Sequence, residues 1–217
     1  ETVDFVLEGG GIEVDGEGTL LTTEHCLLAP TRNPQLDKAG IEQVLKDCFG
    51  VSRVLWLRHG DLLGDDTDGH IDTIARYCDA ETIAYQGCED RDDPHYEDLA
   101  AMAEELKSFR SASGKPYKLV GLPLPAAIHD PDDGRRLPAG YANFLIVNGA
   151  VLVPVYGDPK NDPVALERLR PCFPGREIVP IECRALIHQY GSLHCVSMQI
   201  PSPPDGIQGR HLTRNAS

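Results

Sequence analysis

The chain has 217 residues, with 20 basic and 34 acidic side chains that give a formal net charge of −14. Hydrophobic residues make up 41% and charged residues 25% of the sequence, a composition that excludes an intrinsically disordered protein. Its length suffices for a well-buried core in one large or two small domains. The acidic balance argues against binding to nucleic acid or to anionic membranes, because both require positive charge.

The predicted elements repeat the order strand, strand, helix, strand three times, at a period of roughly 60–65 residues. The first unit has strands at 3–7 and 18–23, a helix at 37–50 and a strand at 53–57, and the second has a strand pair around 73–86, a helix at 96–110 and a strand at 118–122. The third unit has a hairpin of 143–147 and 150–156, a helix at 162–171 and a strand at 176–181. A last strand follows at 194–200. The class is α/β with a mixed sheet in each unit, and an α/β protein without true repeats is the simpler alternative. Residues 125–140 form a loop by their Pro and Gly content.

The seven cysteines are scattered and include no Cys-x-x-Cys pair. This favours a reduced, cytoplasmic protein over a disulfide framework. No apolar run approaches the roughly 18 residues that cross a bilayer, and no charged-then-apolar signal segment opens the chain. Because the sequence lacks an initial Met and starts with strand-like residues, we expect it to begin inside a longer protein.

Two polar stretches lie close to predicted strands. Glu8 stands beside three glycines, which suits either a pocket floor where backbone approaches a ligand or a turn with a solvated carboxylate. Residues 64–72 contain four acids and a histidine, and in a strand His70 and Asp72 would point to one face. That segment fits a general acid/base beside a fixed anion, a solvated acidic loop, or a divalent-cation loop, although the spacing is not that of an EF-hand.

A third stretch places Cys195 behind a glycine turn at Gly191, where a thiol can be exposed as a nucleophile. Taken alone, it fits a buried structural thiol as well, as do the other six cysteines. Taken together, a carboxylate, a His-x-Asp pair and a cysteine are the parts of thiol chemistry on a cationic group.

Four segments, 6–34, 64–72, 143–159 and 194–201, closely resemble the agmatine deiminase family in order and spacing. The bacterial-type peptidylarginine deiminases belong to the same superfamily. The resemblance implies the pentein fold, an α/β propeller of five ββαβ modules around a central active site, of which about three are present here. We therefore expect one catalytic domain over 1–200 that lacks its N-terminal modules, followed by a disordered tail over 201–217.

The resemblance implies hydrolysis of agmatine to N-carbamoylputrescine and ammonia through an amidino-thioether on a cysteine. Cys195 would be the nucleophile, and His70 would protonate the departing ammonia and then activate water. Asp72 and Glu8 would grip the guanidinium through paired hydrogen bonds. The implied substrate-binding residues are Glu8, Asp66, Asp72 and Gly191. No metal or organic cofactor is implied, and self-association into a homo-oligomer is left open.

The sequence departs from the family at 189–193, where the usual run of glycines before the cysteine is replaced, so Tyr190 or Ser192 is expected to alter a pocket wall. Three alternatives stay open. One is a peptidyl- or free-arginine deiminase, and another is a truncated, inactive pentein that binds a guanidinium ligand only. The third is a metal-dependent hydrolase whose ligands would be His59, Asp66, Asp68, His70 and Asp72.

Overall fold

The computed structural model describes residues 3–200, and in that part of the chain the predicted order of elements occurs three times. The first module consists of β1 (Glu13–Val14), β2 (Thr19–Thr23), the short helix α1 (Glu24–Leu27), α2 (Lys38–Phe49) and β3 (Arg53–Leu57). The second module consists of α3 (Ile71–Ile74), β4 (Ala75–Asp79), β5 (Thr82–Gln86), α4 (Tyr96–Ser108) and β6 (Lys118–Leu122). The third module consists of β7 (Leu145–Val147), β8 (Ala150–Val155), α5 (Asn161–Leu169) and β9 (Glu177–Glu182).

Each module folds as one three-stranded mixed sheet. Its first two strands pair antiparallel, and its second and third strands pair parallel. A helix lies between the two parallel strands in the sequence, because a parallel pair needs a crossover rather than a hairpin. The chain therefore has three ββαβ modules of the pentein type.

Local signals explain the bounds of α2. The Asp37 side chain caps its N-terminus by accepting a hydrogen bond from Gly40 N at 2.8 Å. Gly50 ends the helix with φ of 67°, a left-handed conformation that glycine adopts without a steric penalty. Ile41 and Leu45, four residues apart, form its buried face.

A buried arginine joins the three modules. Arg76 Nε on β4 donates to Glu13 Oε2 on β1 at 2.7 Å, and Arg76 Nη1 donates to the Phe144 carbonyl before β7 at 2.8 Å. Both side chains of this ion pair are about nine-tenths buried or more. The largest apolar cluster packs the second module against the third around Tyr141, Phe144 and Tyr156. The module junctions are therefore as well buried as the sheets.

Two predicted strands do not form. The segment 3–7 is irregular because Val6 exchanges both of its backbone hydrogen bonds with the side-chain amide of Asn33, at 2.9 Å each, instead of with a strand. The segment 194–200 is also irregular: it begins in a turn, in which Ser197 N donates to the His194 carbonyl at 3.0 Å, and the Asn143 side chain binds the His194 N–H at 2.8 Å. Backbone groups satisfied in this way are not available to a sheet.

The segment with His70 and Asp72 also differs from the prediction. His70 is the N-cap of α3 and Asp72 lies in the first turn of that helix, so the two are not alternate residues of a strand. The predicted loop over 125–140 is confirmed, with one isolated bridge inside it. The predicted tail over 201–217 lies outside the described residues. Within residues 3–200, no helix combines the length and apolarity that a membrane span requires.

Candidate functional site

The candidate site lies at the junctions between modules. Asp72 lies in α3 at the start of the second module, Asn143 lies between the second and third modules, and Cys195 follows the third. Asp72 is 1% exposed. Its Oδ2 accepts a hydrogen bond from His194 Nδ1 at 2.7 Å, whereas its Oδ1 is buried without a partner in the described part of the chain. A buried carboxylate oxygen that lacks a donor is suited to receive one from a ligand.

The Cys195 thiol lies beside this carboxylate. Its Sγ is 3.7 Å from Asp72 Oδ2 and 3.3 Å from Asn143 Nδ2. Although the residue as a whole is exposed, the desolvation of its thiol and the negative charge of Asp72 raise the pKa of Cys195 to about 11. Hydrogen bonds from the Ser192 backbone and the Asn143 side chain partly oppose this shift in pKa. The thiol therefore needs an additional positive charge to ionise near neutral pH.

The His70 imidazole packs on the backbone at Gly10. A Cβ atom on Gly10 would lie 2.7 Å from His70 Nδ1 and 3.0 Å from both oxygens of Asp72, so no side chain fits at this position. His70 is 9% exposed, and its Nε2 has no hydrogen-bond partner among residues 3–200. The glycine turn thus holds an imidazole and a carboxylate side by side, each with one unpaired buried atom.

The Glu8 carboxylate binds the guanidinium group of Arg32, a residue of the protein itself. Arg32 Nε donates to both Glu8 oxygens at 3.0 Å, while its terminal nitrogens donate to Asp68 Oδ2 and to the Thr67 carbonyl at 2.8 Å each. Burial alone would raise the pKa of Glu8, but the hydrogen bond and charge of Arg32 hold that pKa below its usual value. Glu8 is therefore an ionised carboxylate at the edge of the site.

The structure brings Gly191 into the site and leaves Asp66 out. A Cβ atom on Gly191 would lie 2.8 Å from Cys195 Cβ, so the position of Cys195 requires glycine there. Asp66 is exposed, and its side chain has no hydrogen bond among residues 3–200. Its neighbour Asp65 instead shapes the loop by accepting hydrogen bonds from Thr67 Oγ1 and Gly69 N at 2.7 and 2.9 Å. The interpretation of Asp66 as a substrate-binding residue is therefore not supported by its position.

The ligand set of the metal-hydrolase alternative is not assembled. His59 pairs with Asp98 at 2.7 Å, and Asp68 pairs with Arg32 at 2.8 Å. Among residues 3–200, the side chains that come close enough together to share a metal ion are those of Glu8, Cys26 and His70. Only His70 belongs to the set that the sequence suggests.

Tyr190 and Ser192 line a cleft beside Asn143, as the departure from the family pattern predicts. Tyr190 has φ of 67°, and the Arg135 guanidinium lies 4.2 Å from its ring centroid. Ser192 is buried and its hydroxyl lies 2.8 Å from the Tyr156 hydroxyl. Tyr190 thus contributes an aromatic wall to the cleft, whereas Ser192 is held by the core.

Sequence reasoning missed three residues that organise the site. Asn143 binds the Asp72 carbonyl, the Cys195 sulfur and the His194 backbone N–H, yet it lies in a segment predicted as a strand. Arg32 and His194 each bind a carboxylate of the site, Glu8 and Asp72 respectively. A polar residue at a predicted strand end was the available signal for Asn143, and the position next to Cys195, the predicted nucleophile, was the signal for His194.

Comparison with known proteins gives a consistent result. The family of Porphyromonas-type peptidyl-arginine deiminases matches residues 1–201. The chain is 39% identical over 218 residues to an agmatine deiminase of Stutzerimonas stutzeri, covering 93% of this chain and 59% of that protein. The chain thus spans about 59% of the length of the curated relatives that it matches.

Solved structures agree with these matches. A protein of Porphyromonas gingivalis provisionally named an arginine deiminase superposes with a TM-score of 0.87 at 58% identity, over 91% of this chain and 57% of that one. A cysteine-to-serine variant of the agmatine deiminase of Campylobacter jejuni with substrate bound superposes with a TM-score of 0.83 at 46% identity, over 89% of this chain and 55% of that one.

Proposed function

Because the chain belongs to the Porphyromonas-type peptidyl-arginine deiminase family, we propose that it carries the residues for hydrolysis of agmatine to N-carbamoylputrescine and ammonia. The observation that carries the proposal is the position of Cys195, whose Sγ lies 3.7 Å from an oxygen of the buried Asp72. A planar cation held by that carboxylate would have its carbon beside the thiol. The names of the curated relatives favour agmatine over free or peptidyl arginine.

In the proposed reaction the substrate activates its own nucleophile. The guanidinium donates hydrogen bonds to the unpaired Asp72 Oδ1, and its positive charge offsets the negative charge that raises the pKa of Cys195. The thiol proton passes to solvent, and the thiolate attacks the guanidinium carbon and forms a tetrahedral adduct. The Asn143 amide, 3.3 Å from the sulfur, stabilises the thiolate and orients it.

His70 carries the protons in this proposal. It gives a proton to the nitrogen that leaves as ammonia, which produces the Cys195 amidino-thioether. The neutral imidazole then takes one proton from water, whose oxygen attacks the same carbon. The carbon–sulfur bond breaks, the hydroxyl proton of the adduct passes to the sulfur, and the urea-type product is released. The buried and unpaired Nε2 of His70 is suited to both transfers.

Glu8 is proposed to act through its negative charge rather than by accepting hydrogen bonds from the substrate guanidinium. Its two oxygens already accept hydrogen bonds from Arg32 Nε. The carboxylate lies within 4.8 Å of a ligand atom of His70, so its negative charge stands beside the group proposed to transfer the protons. A cytoplasmic location and self-association stay predictions.

The test is ammonia release from agmatine, free arginine and an arginine peptide by this chain. We expect release from agmatine, its loss in Cys195→Ser and its retention in Cys48→Ser, which removes an exposed thiol outside the site. Full release by Cys195→Ser would contradict the proposed mechanism. Binding of agmatine without release would instead indicate a guanidinium-binding protein.

A further inference from the structure

Three side chains of the metal-binding type meet beneath the proposed reaction site. Glu8, Cys26 and His70 each place one ligand atom within 4.8 Å of the other two. They come from separate parts of the chain: the residue before the glycine turn, helix α1, and the N-cap of α3. Packing of the first module against α3 brings them together, so the cluster is a product of the tertiary fold.

The His70 imidazole and the Cys26 thiol both lie against the glycine turn. A Cβ atom on Gly11 would lie 3.3 Å from Cys26 Sγ and 3.9 Å from His70 Cδ2, whereas His70 Nδ1 lies against Gly10. The thiol and the Cδ2 side of the ring therefore share the space beside Gly11. His70 is 9% exposed, and its Nε2 is buried without a hydrogen-bond partner in residues 3–200. Buried polar atoms usually have a partner, so this nitrogen is free to receive a ligand.

The Cys26 thiol is not explained by the proposed reaction. It is 0% exposed and lies beside the proposed acid/base, yet the nucleophile is Cys195. A thiol, an imidazole and a carboxylate form the donor set that zinc and cobalt prefer, with a fourth position left open.

Arg32 would serve this site as an outer partner. It holds Glu8 through bonds from Nε to both oxygens at 3.0 Å, and carboxylates that bind metals are commonly fixed by such contacts. The opposing charge of Arg32 is matched by Asp68 at 2.8 Å. Glu8 would therefore give up one of its two Arg32 bonds to the ion, and Asp68 would keep the guanidinium charge balanced.

We propose that Glu8, Cys26 and His70 bind a zinc-class divalent ion, which occupies His70 and thereby inhibits the deiminase reaction. Binding forms one bond each from the metal to sulfur, nitrogen and oxygen, and releases the Cys26 thiol proton to solvent. No oxidation or reduction takes place. The inhibitory effect rests on the proposed function, whereas the binding site itself does not.

The test uses Co²⁺ as a spectroscopic probe on the whole chain, with Cys26→Ser and Cys195→Ser as matched variants. A cobalt–thiolate charge-transfer band should appear in the wild type at one equivalent and disappear on addition of Zn²⁺. It should persist in Cys195→Ser and be lost in Cys26→Ser, with zinc affinity reduced by about tenfold or more. Glu8→Gln keeps the thiol, so it should show the band but bind Co²⁺ more weakly. This variant tests the site if Cys26→Ser does not fold.

Two results would overturn the proposal. One is the absence of a thiolate band in the folded wild-type chain. The other is a band that is lost in Cys195→Ser but kept in Cys26→Ser, because the nucleophile would then hold the ion. Where agmatine is hydrolysed, zinc should inhibit Cys26→Ser less than wild type, each relative to its own zinc-free rate. Absence of hydrolysis leaves the cobalt result interpretable, so the two proposals fail separately.

Discussion

The charge of Asp72 should control the reactivity of Cys195, and the substitution Asp72→Asn isolates that charge. An asparagine oxygen still accepts the hydrogen bond from His194 Nδ1, so the local geometry is kept while the negative charge 3.7 Å from the sulfur is removed. Because that charge is the second cause of the raised pKa of Cys195, after desolvation, its removal should lower this pKa and increase the thiolate fraction.

The expected size follows from the pKa itself. A rise from 9.0 to about 11 reduces the thiolate fraction at pH 8 about 100-fold, and each pH unit corresponds to about 1.4 kcal/mol. Asp72 is the second cause after desolvation, so its removal should reverse part of this shift, on the order of one pH unit. Alkylation of Cys195 by iodoacetamide at pH 8 should therefore be about tenfold faster in Asp72→Asn than in wild type.

The assay follows the alkylation of the Cys195 peptide by mass spectrometry between pH 7 and 11. The exposed Cys48 thiol gives an internal reference in the same sample. Asp66→Asn is the matched control, because it removes one exposed negative charge outside the contacts of the site. The reasoning is refuted if the wild-type rate reaches a plateau below pH 9, or if Asp72→Asn and Asp66→Asn change it equally.

Other predictions test the surroundings of the site. Asn143→Ala removes hydrogen bonds to Asp72, Cys195 and His194, so urea unfolding should show a loss of roughly 1–3 kcal/mol; an unchanged midpoint would contradict it. Tyr156→Phe removes a buried hydroxyl that bonds Gly140 and Ser192 and should cost about 1–3 kcal/mol in the same assay, without a change in the rate of Cys195 alkylation. Burial alone would raise the pKa of Asp93, but hydrogen bonds from Arg136 and His95 lower this pKa to about 2. The stabilising contribution of the Asp93 carboxylate is therefore present above pH 4 and is lost as the pH falls towards 2. Acid unfolding of Asp93→Asn should therefore depend less on pH in that window than the wild type, and identical acid profiles would refute this assignment.

Much of the fold could be predicted because its signals are local. The Asp37 cap, the Gly50 stop and the spacing of Ile41 and Leu45 each lie within one helix, and they define α2 to within a residue. The prediction of a strand at 3–7 was wrong, although its apolar residues alternate as in a strand. The side-chain amide of Asn33 binds the backbone N–H and carbonyl of Val6 instead. When a side chain takes the hydrogen bonds that a neighbouring strand would make, the pattern of apolar residues in the sequence does not reveal it.

The site was predictable in its residue types but not in its connections. His70 and Asp72 do lie together, but a helix cap and the bare backbone of Gly10 place them there rather than strand alternation. The pairing of Glu8 with Arg32 joins residues 24 positions apart, and that of Asp72 with His194 joins residues 122 apart. Such contacts depend on how the modules pack, which one sequence does not reveal.

The side chain of Asn143 has a mechanical consequence. It lies at the junction between two modules and holds the Asp72 carbonyl with one end while the other end holds the backbone before Cys195. The segments of Asp72 and Cys195 therefore cannot move independently, since a displacement of one is transmitted to the other through the same amide. The hydrogen bond between His194 and Asp72 is a second link between these segments, so the distance from carboxylate to thiol is set by two side chains rather than by either sheet.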